Sequence, residues 1–179
     1  MNQKQKTIFV DRDGTLIEEV NFLSRVEDLQ FFPFTSEAVE LLKKAGFLVI
    51  VVTNQSGIAR KIFDESAMRS IHERIQIDLS VKLDGFYFCP HLPTGDCRCR
   101  KPRIGMIEAA CSEFAIDLEK SWMIGDKALD VELGFNAGIK TALVLTGYGK
   151  QDLTKLDKKP DIVAENLLEA VLQILQNND

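Results

Sequence analysis

Two aspartates two positions apart, Asp11 and Asp13, open the run Asp11-Arg12-Asp13-Gly14-Thr15, which follows directly on an apolar segment. Three more clusters come later in the chain: Thr53-Asn54, Arg100-Lys101-Pro102 and Gly125-Asp126-Lys127-Ala128-Leu129-Asp130. Taken singly, each has an ordinary reading as an Asx turn, a strand end, a solvated lysine or a loop. Taken in order, they suit phosphoryl transfer. Asp11 is the candidate nucleophile, because a carboxylate can form an acyl-phosphate and divide one difficult displacement into two easier ones. Asp13 is the candidate acid and base, protonating the leaving oxygen and later deprotonating water. Thr53 and Lys101 would bind the transferring phosphoryl oxygens, where charge accumulates. Carboxylates brought together need a cation, and Mg²⁺ prefers oxygen ligands. Asp11, Asp126 and the backbone carbonyl of Asp13 are the expected magnesium set. Gly14 removes a Cβ where the chain must turn sharply beside the site.

A second constellation uses softer ligands. Cys89, His91, Cys97 and Cys99 follow the pattern C-x-H-x₅-C-x-C, a spacing that suits tetrahedral Zn²⁺. Protein atoms would fill all four positions and leave none for a catalytic water, so the expected zinc is structural. A reduced surface loop or a Cys89–Cys97 disulfide are the bland alternatives. The knuckle runs straight into Arg100 and Lys101, and a fixed loop would hold both cations over a bound phosphate. Cys111 shares a helical stretch with Ile107, Ala110 and Phe114, and is read as a small core residue. His72 falls in mid-helix and is given no functional role.

The elements that must position these residues alternate between strand and helix. Strands are expected over 6–10, 47–52, 84–88, 121–124, 140–145 and 162–164. Helices are expected over 35–45 with Thr35 or Ser36 as N-cap and Gly46 as stop, from Asp64 to about residue 79, and over 105–115, 129–137 and 165–176. The polar, lysine-rich stretch 147–160 reads as a linker. Strict alternation implies an α/β doubly wound parallel sheet, with helices on both faces and right-handed crossovers. Ligands then bind beyond the carboxyl ends of the strands, where Asp11, Thr53 and Asp126 would meet.

Composition bounds the function. The chain has 179 residues, 45% hydrophobic and 27% charged, the profile of one folded domain spanning 1–179 with a zinc loop at 89–101. A net charge of −5 argues against nucleic acid as the main partner. No apolar run approaches the ~20 residues that cross a bilayer, and the first residues lack the pattern of a signal peptide. A cytoplasmic monomer acting on a small molecule is expected, with no membrane or nucleic-acid partner.

The pattern resembles the haloacid dehalogenase (HAD) phosphatase superfamily over nearly the whole chain. Asp11 and Asp13 look like its first motif, Thr53 its second, Lys101 its third, and Asp126 with Asp130 its fourth. The resemblance implies an aspartyl-phosphate on Asp11, Mg²⁺ as cofactor, and a three-layer Rossmann-like sheet with the Asp11 strand at its centre. The intervals between the motifs leave no room for a large cap domain, so loops 18–24, 55–61 and 91–103 should select the substrate. Asp11-Arg12-Asp13-Gly14, Thr53-Asn54-Gln55-Ser56-Gly57-Ile58-Ala59-Arg60, the zinc knuckle and Cys99-Arg100-Lys101-Pro102 together resemble the D-glycero-D-manno-heptose 1,7-bisphosphate 7-phosphatases. They are similar also to the histidinol-phosphate phosphatases, whose short zinc loop the His91–Cys97 interval matches. A DNA 3′-phosphatase is the remaining capless alternative, against which the acidic charge argues. The heptose resemblance implies substrate contacts from Glu19, Val20, Asn21, Phe22, Thr53, Asn54, Gln55, Ser56, Arg100, Lys101 and Lys127. Arg60 is added as a candidate partner for a second phosphate, since a guanidinium suits phosphate oxygens.

Overall fold

A computed structural model describes residues 4–177. Its centre is β1 (Gln5–Val10), whose last four residues are all buried. Only a strand covered on both faces tolerates such a run. Five more strands complete a sheet: β2 (Leu48–Asn54), β3 (Gly85–Cys89), β4 (Ile116–Gly125), β5 (Lys140–Val144) and β6 (Ile162–Ala164). All neighbours pair in parallel in the order β3-β2-β1-β4-β5-β6. The order reverses between β1 and β4, and doubly wound sheets open a ligand crevice at such a reversal.

Parallel neighbours need crossovers, and helices supply them. They are α1 (Thr35–Lys44), α2 (Glu65–Asp78), α3 (Gly105–Glu113), α4 (Ala128–Ala137), the single turn α5 (Gly149–Asp152) and α6 (Leu167–Gln176). The two-residue period of each strand divides the core. Ile8, Val10, Val49, Val51, Trp122 and Ile124 face one way and pack with α1, α2 and α6. Phe9, Ile50, Val52 and Met123 face the other and pack with α3 and α4. Asp64 caps α2 by accepting from the Ala67 N–H, and Asn166 caps α6 by accepting from the Glu169 N–H. Each contact is worth about 1 kcal/mol. Between Thr53 and Lys101 the chain holds only α2, β3 and the cysteine segment, so no cap domain covers the sheet there.

Four expectations are corrected. Neither Thr35 nor Ser36 caps α1; the N-cap is Phe34, and the Thr35 hydroxyl donates instead to Leu16 O at 2.7 Å. β4 starts at Ile116 rather than at residue 121. Its polar stretch hides the first rungs, where Gln5 and Lys6 pair with Ile116 and Asp117 before a register shift brings Ile8 opposite Trp122. The stretch 147–160 is no linker: it contains α5, and Asp152 accepts from the Ala128 N–H at 2.9 Å. Cys111 is exposed, because the core side of α3 is formed by Met106, Ile107 and Ala110, and the next position turns outward.

His72 is a core residue, 8% exposed, with its ring stacked on Phe86 at a centroid distance of 4.6 Å. Burial, and then the cations Arg12 and Arg69, push its pKa down to about 3. Above pH 6.5 the ring is neutral folded or unfolded and adds no pH dependence. Below 6.5 the unfolded chain takes up a proton that the folded one refuses, so stability falls as pH falls, at about 1.4 kcal/mol per pH unit. His72→Phe should therefore lose about 2 kcal/mol less than the parent between pH 7 and pH 5, read by urea unfolding at both values.

Candidate active site

The sheet brings residues from separate strands to one edge. Asp11 follows β1 directly, and its N–H donates to Ile124 O in β4 at 2.9 Å. That bond aligns the end of β1 with the end of β4, where Asp126 follows Gly125. One ligand oxygen each from Asp11, Asp126 and Asp130 lie within 4.8 Å of one another, and all three residues are buried. Thr53, in the last rungs of β2, has its hydroxyl accepting from Gln55 Nε2 at 2.9 Å.

Lys101 reaches this group from the segment after the cysteines. Its Nζ lies 2.9 Å from Asp11 Oδ1 and 2.7 Å from Asp130 Oδ1, and it donates to Val52 O at 3.0 Å. Its backbone is gripped by Asn54, whose Oδ1 accepts from the Lys101 N–H at 3.0 Å. Burial alone would strip the charge from Lys101, but Asp11 and Asp130 hold its pKa above the ordinary lysine value. Burial likewise opposes the Asp11 carboxylate, and Lys101 with Lys127 more than offsets it, leaving that pKa lowered. Asp11 therefore stays ionised, the form a nucleophile requires.

Asp126 is different. Burial, and then repulsion from Asp11 and Asp130, push its pKa up to about 8 against the opposing pull of Lys127. Its Oδ2 accepts from the Tyr148 N–H at 2.8 Å, while its buried Oδ1 has no hydrogen-bond partner, with Lys127 Nζ no nearer than 3.7 Å. A buried carboxylate oxygen without a partner beside two other carboxylates fits a site for a hard divalent cation. Asp130 is already engaged, with Oδ1 on Lys101 and Oδ2 accepting from the Lys127 N–H at 3.0 Å. Asp11 and Asp126 are thus the carboxylates that fit a metal, with Asp130 as the anchor of Lys101.

Gly14 has a φ of +82°, and a Cβ there would lie 2.3 Å from Asp126 Oδ2. Gly14→Ala should destabilise the fold by on the order of 3 kcal/mol, from left-handed strain plus the clash. Urea unfolding reads the loss directly.

Asp13 faces three donors. Arg12 forks onto it through Nε and Nη2, each at 3.0 Å, and Gln55 Nε2 donates to Oδ2 at 2.9 Å. Arg12 is itself buried, with Nη1 unpartnered. Sequence reasoning passed over this arginine, since nothing in the spacing shows that it turns back onto its neighbour.

A cavity of about 320 Å³ opens over these groups. It is lined by Asp11, Asp13, Glu19, Val20, Asn21, Phe22, Thr53, Asn54, Gln55, Ser56, Arg100, Lys101 and Lys127 from the expected set. Leu129, Asp130 and Tyr148 line it as well and had not been named as substrate contacts. Lys127 Nζ pairs with Glu19 Oε2 at 2.9 Å and lies 4.0 Å from Asp11 Oδ2. Arg60 is not part of the lining; its guanidinium sits 5.8 Å from the ring centroid of Phe22, one residue back from the cavity.

The cysteine segment closes on itself. Cys89 Sγ is 3.5 Å from His91 Nδ1 and 3.6 Å from Cys97 Sγ, and Cys99 Sγ is 3.3 Å from the same His91 nitrogen. A sulfur separation of 3.6 Å excludes a disulfide, whose S–S length is about 2.0 Å. Four ligands on a tetrahedral zinc at about 2.0–2.3 Å stand about 3.5 Å apart, which matches the observed spread. Arg100 Nη1 donates to His91 O at 3.1 Å, tying the knuckle to the residue beside Lys101.

Comparison with known proteins adds the family. The family model described as HAD-hydrolase-like matches residues 98–170. A D-glycero-beta-D-manno-heptose-1,7-bisphosphate 7-phosphatase from Haemophilus ducreyi is 38% identical over 177 residues, covering 93% of this chain and 97% of that protein. The chain belongs to the heptose bisphosphate phosphatase family of HAD-like hydrolases. A D-glycero-alpha-D-manno-heptose-1,7-bisphosphate 7-phosphatase from Photorhabdus laumondii is 40% identical, covering 86% of this chain and 90% of that protein. Among solved structures, the D,D-heptose 1,7-bisphosphate phosphatase of B. bronchiseptica, complexed with magnesium and phosphate, superposes with a TM-score of 0.89 at 30% identity. It covers 96% of this chain and 99% of its own.

Proposed function

We propose that this chain is a Mg²⁺-dependent phosphatase that removes the 7-phosphate of D-glycero-D-manno-heptose 1,7-bisphosphate by transfer to Asp11. One observation carries the reading: an ionised, buried Asp11 held by Lys101 stands beside the unpartnered Oδ1 of Asp126 at the β1–β4 reversal. Asp11 Oδ1 accepts from the Arg12 N–H at 2.8 Å and pairs with Lys101, which orients the carboxylate toward the cavity. Asp11, Asp126 and the Asp13 carbonyl would hold Mg²⁺, which supplies the charge that lets an anionic phosphate approach an anionic nucleophile. Thr53 and Lys101 bind the phosphoryl oxygens. Asp13, with three donors on its two oxygens, is the group that would accept a proton from water in the second half-reaction. Donating a proton to the leaving alkoxide requires the carboxyl to be protonated and at least one of those donors released.

The heptose assignment is supported by the two anomer-named relatives and the magnesium–phosphate neighbour. Arg100, Lys127 and the 19–22 loop are the contacts that would recognise the sugar and its second phosphate. Zinc on Cys89, His91, Cys97 and Cys99 would be structural, with no ligand position left open. The test compares kcat/KM on heptose 1,7-bisphosphate and on histidinol phosphate. A preference of at least about tenfold for the heptose substrate is expected; a better rate on histidinol phosphate would overturn the assignment. Chelation by EDTA should abolish turnover and added Mg²⁺ should restore it, whichever substrate wins.

A further inference from the structure

Tyr148 lines the cavity yet has no part in the phosphoryl chemistry above. It is 42% exposed, although the turn that carries it is held at two points. Its N–H donates to Asp126 Oδ2 at 2.8 Å, and the Thr146 hydroxyl donates to Gly14 O at 2.6 Å. Gly147, with a φ of +51°, lets the chain pass so close that a Cβ there would lie 2.2 Å from Asp126 Oδ2. The backbone that carries the ring is therefore anchored to a carboxylate of the reacting centre. On its face stands Lys127, with Nζ 5.1 Å from the ring centroid. A second aromatic, Phe22, lines the cavity from the loop after β1, with a left-handed φ of +56° and Arg60 against its ring. A molecule entering the crevice thus meets one aromatic carried by the β1 loop and another carried by the turn after β5.

An aromatic face is negative and apolar, and it attracts the slightly positive C–H edges of a flat-sided ring while offering nothing to a phosphate oxygen. Sugars present such C–H faces; an inorganic or acyclic phosphate does not. We propose that Tyr148 is the platform for the sugar ring of the substrate, a specificity determinant that acts on binding and not on the chemical step. This deepens the heptose reading and rests on it. Lys127, above the same ring, then meets an anionic group carried by the stacked sugar.

Steady-state kinetics on heptose 1,7-bisphosphate, with inorganic phosphate as product inhibitor, separates the roles. Tyr148→Ala should raise KM about tenfold, the equivalent of about 1.4 kcal/mol, with kcat changed less than twofold. Its Ki for inorganic phosphate should not move, because phosphate alone needs only the reacting centre. Tyr148→Phe should recover the parental KM, since stacking uses the ring and not the hydroxyl. An unchanged KM in Tyr148→Ala would overturn the proposal. So would a Ki that rises in step with KM, which would place the effect in Lys127 or Asp126. A parent enzyme inert toward heptose bisphosphate would instead sink the functional reading, an outcome visible before any variant is made.

Discussion

Asp11→Asn should lower kcat by at least about 10⁴-fold, as loss of a covalent nucleophile does, and leave the melting temperature within a few degrees of the parent. The amide is nearly isosteric, so the Arg12 N–H can still donate to its oxygen. The stability terms oppose one another. Lys101 loses one carboxylate but keeps Asp130 at 2.7 Å and the Val52 carbonyl at 3.0 Å. Asp126 and Asp130, whose pKa values are raised in part by Asp11, are relieved of a like charge. Breaking a buried ion pair outright would cost several kcal/mol, but here the lysine is never left unpaired. Circular dichroism melts and turnover on one preparation check both halves. Normal turnover in this variant would remove Asp11 from the nucleophile's role.

Cys99→Ser should abolish zinc binding and lower the melting temperature by about 10 °C or more. Apparent zinc affinities of ~10 kcal/mol are coupled to folding of the ligand loop, and losing 3–5 kcal/mol of that shifts a chain of this size by about 2–4 °C per kcal/mol. The loop has few other anchors: His91, Leu92, Pro93, Thr94 and Asp96 are all exposed. Stability should suffer before chemistry. Lys101 is held from the β2 side as well, by Asn54 on its backbone and Val52 O on its ammonium. Well below the melting temperature the variant should therefore retain measurable turnover. Metal analysis of parent protein prepared without chelator should find about one zinc per chain; none would remove the knuckle from the account.

The gathering of Asp11, Thr53 and Asp126 is legible because it needs only one inference, that parallel strands end on the same side; Lys101 needs a second, that the cysteine knuckle fixes the loop carrying it. Strand β1 reads as buried from the apolar run Ile8-Phe9-Val10, and β2 likewise from Leu48 to Val52. What escaped lies in contacts between distant segments that leave no period behind. The Tyr148 N–H on Asp126 and the Thr146 hydroxyl on Gly14 turn a lysine-rich stretch that looks like a linker into part of the site. Arg12 looks like a spacer between two aspartates, and its fork onto Asp13 depends on a side-chain rotamer. β4 was shortened by its charged residues, which sit at the outer rungs where water reaches them. Cys111 was assigned to the core from its neighbours' apolarity, but a one-residue step is a 100° rotation, and α3 is narrow on its buried side.

The most direct test of the central claim is chemical trapping. Enzyme quenched in acid during turnover with Mg²⁺, then reduced with borohydride and digested, should carry homoserine in place of aspartate at position 11, and only when both Mg²⁺ and substrate were present. Unmodified Asp11 under conditions of rapid turnover, or reduction at another carboxylate, would contradict it.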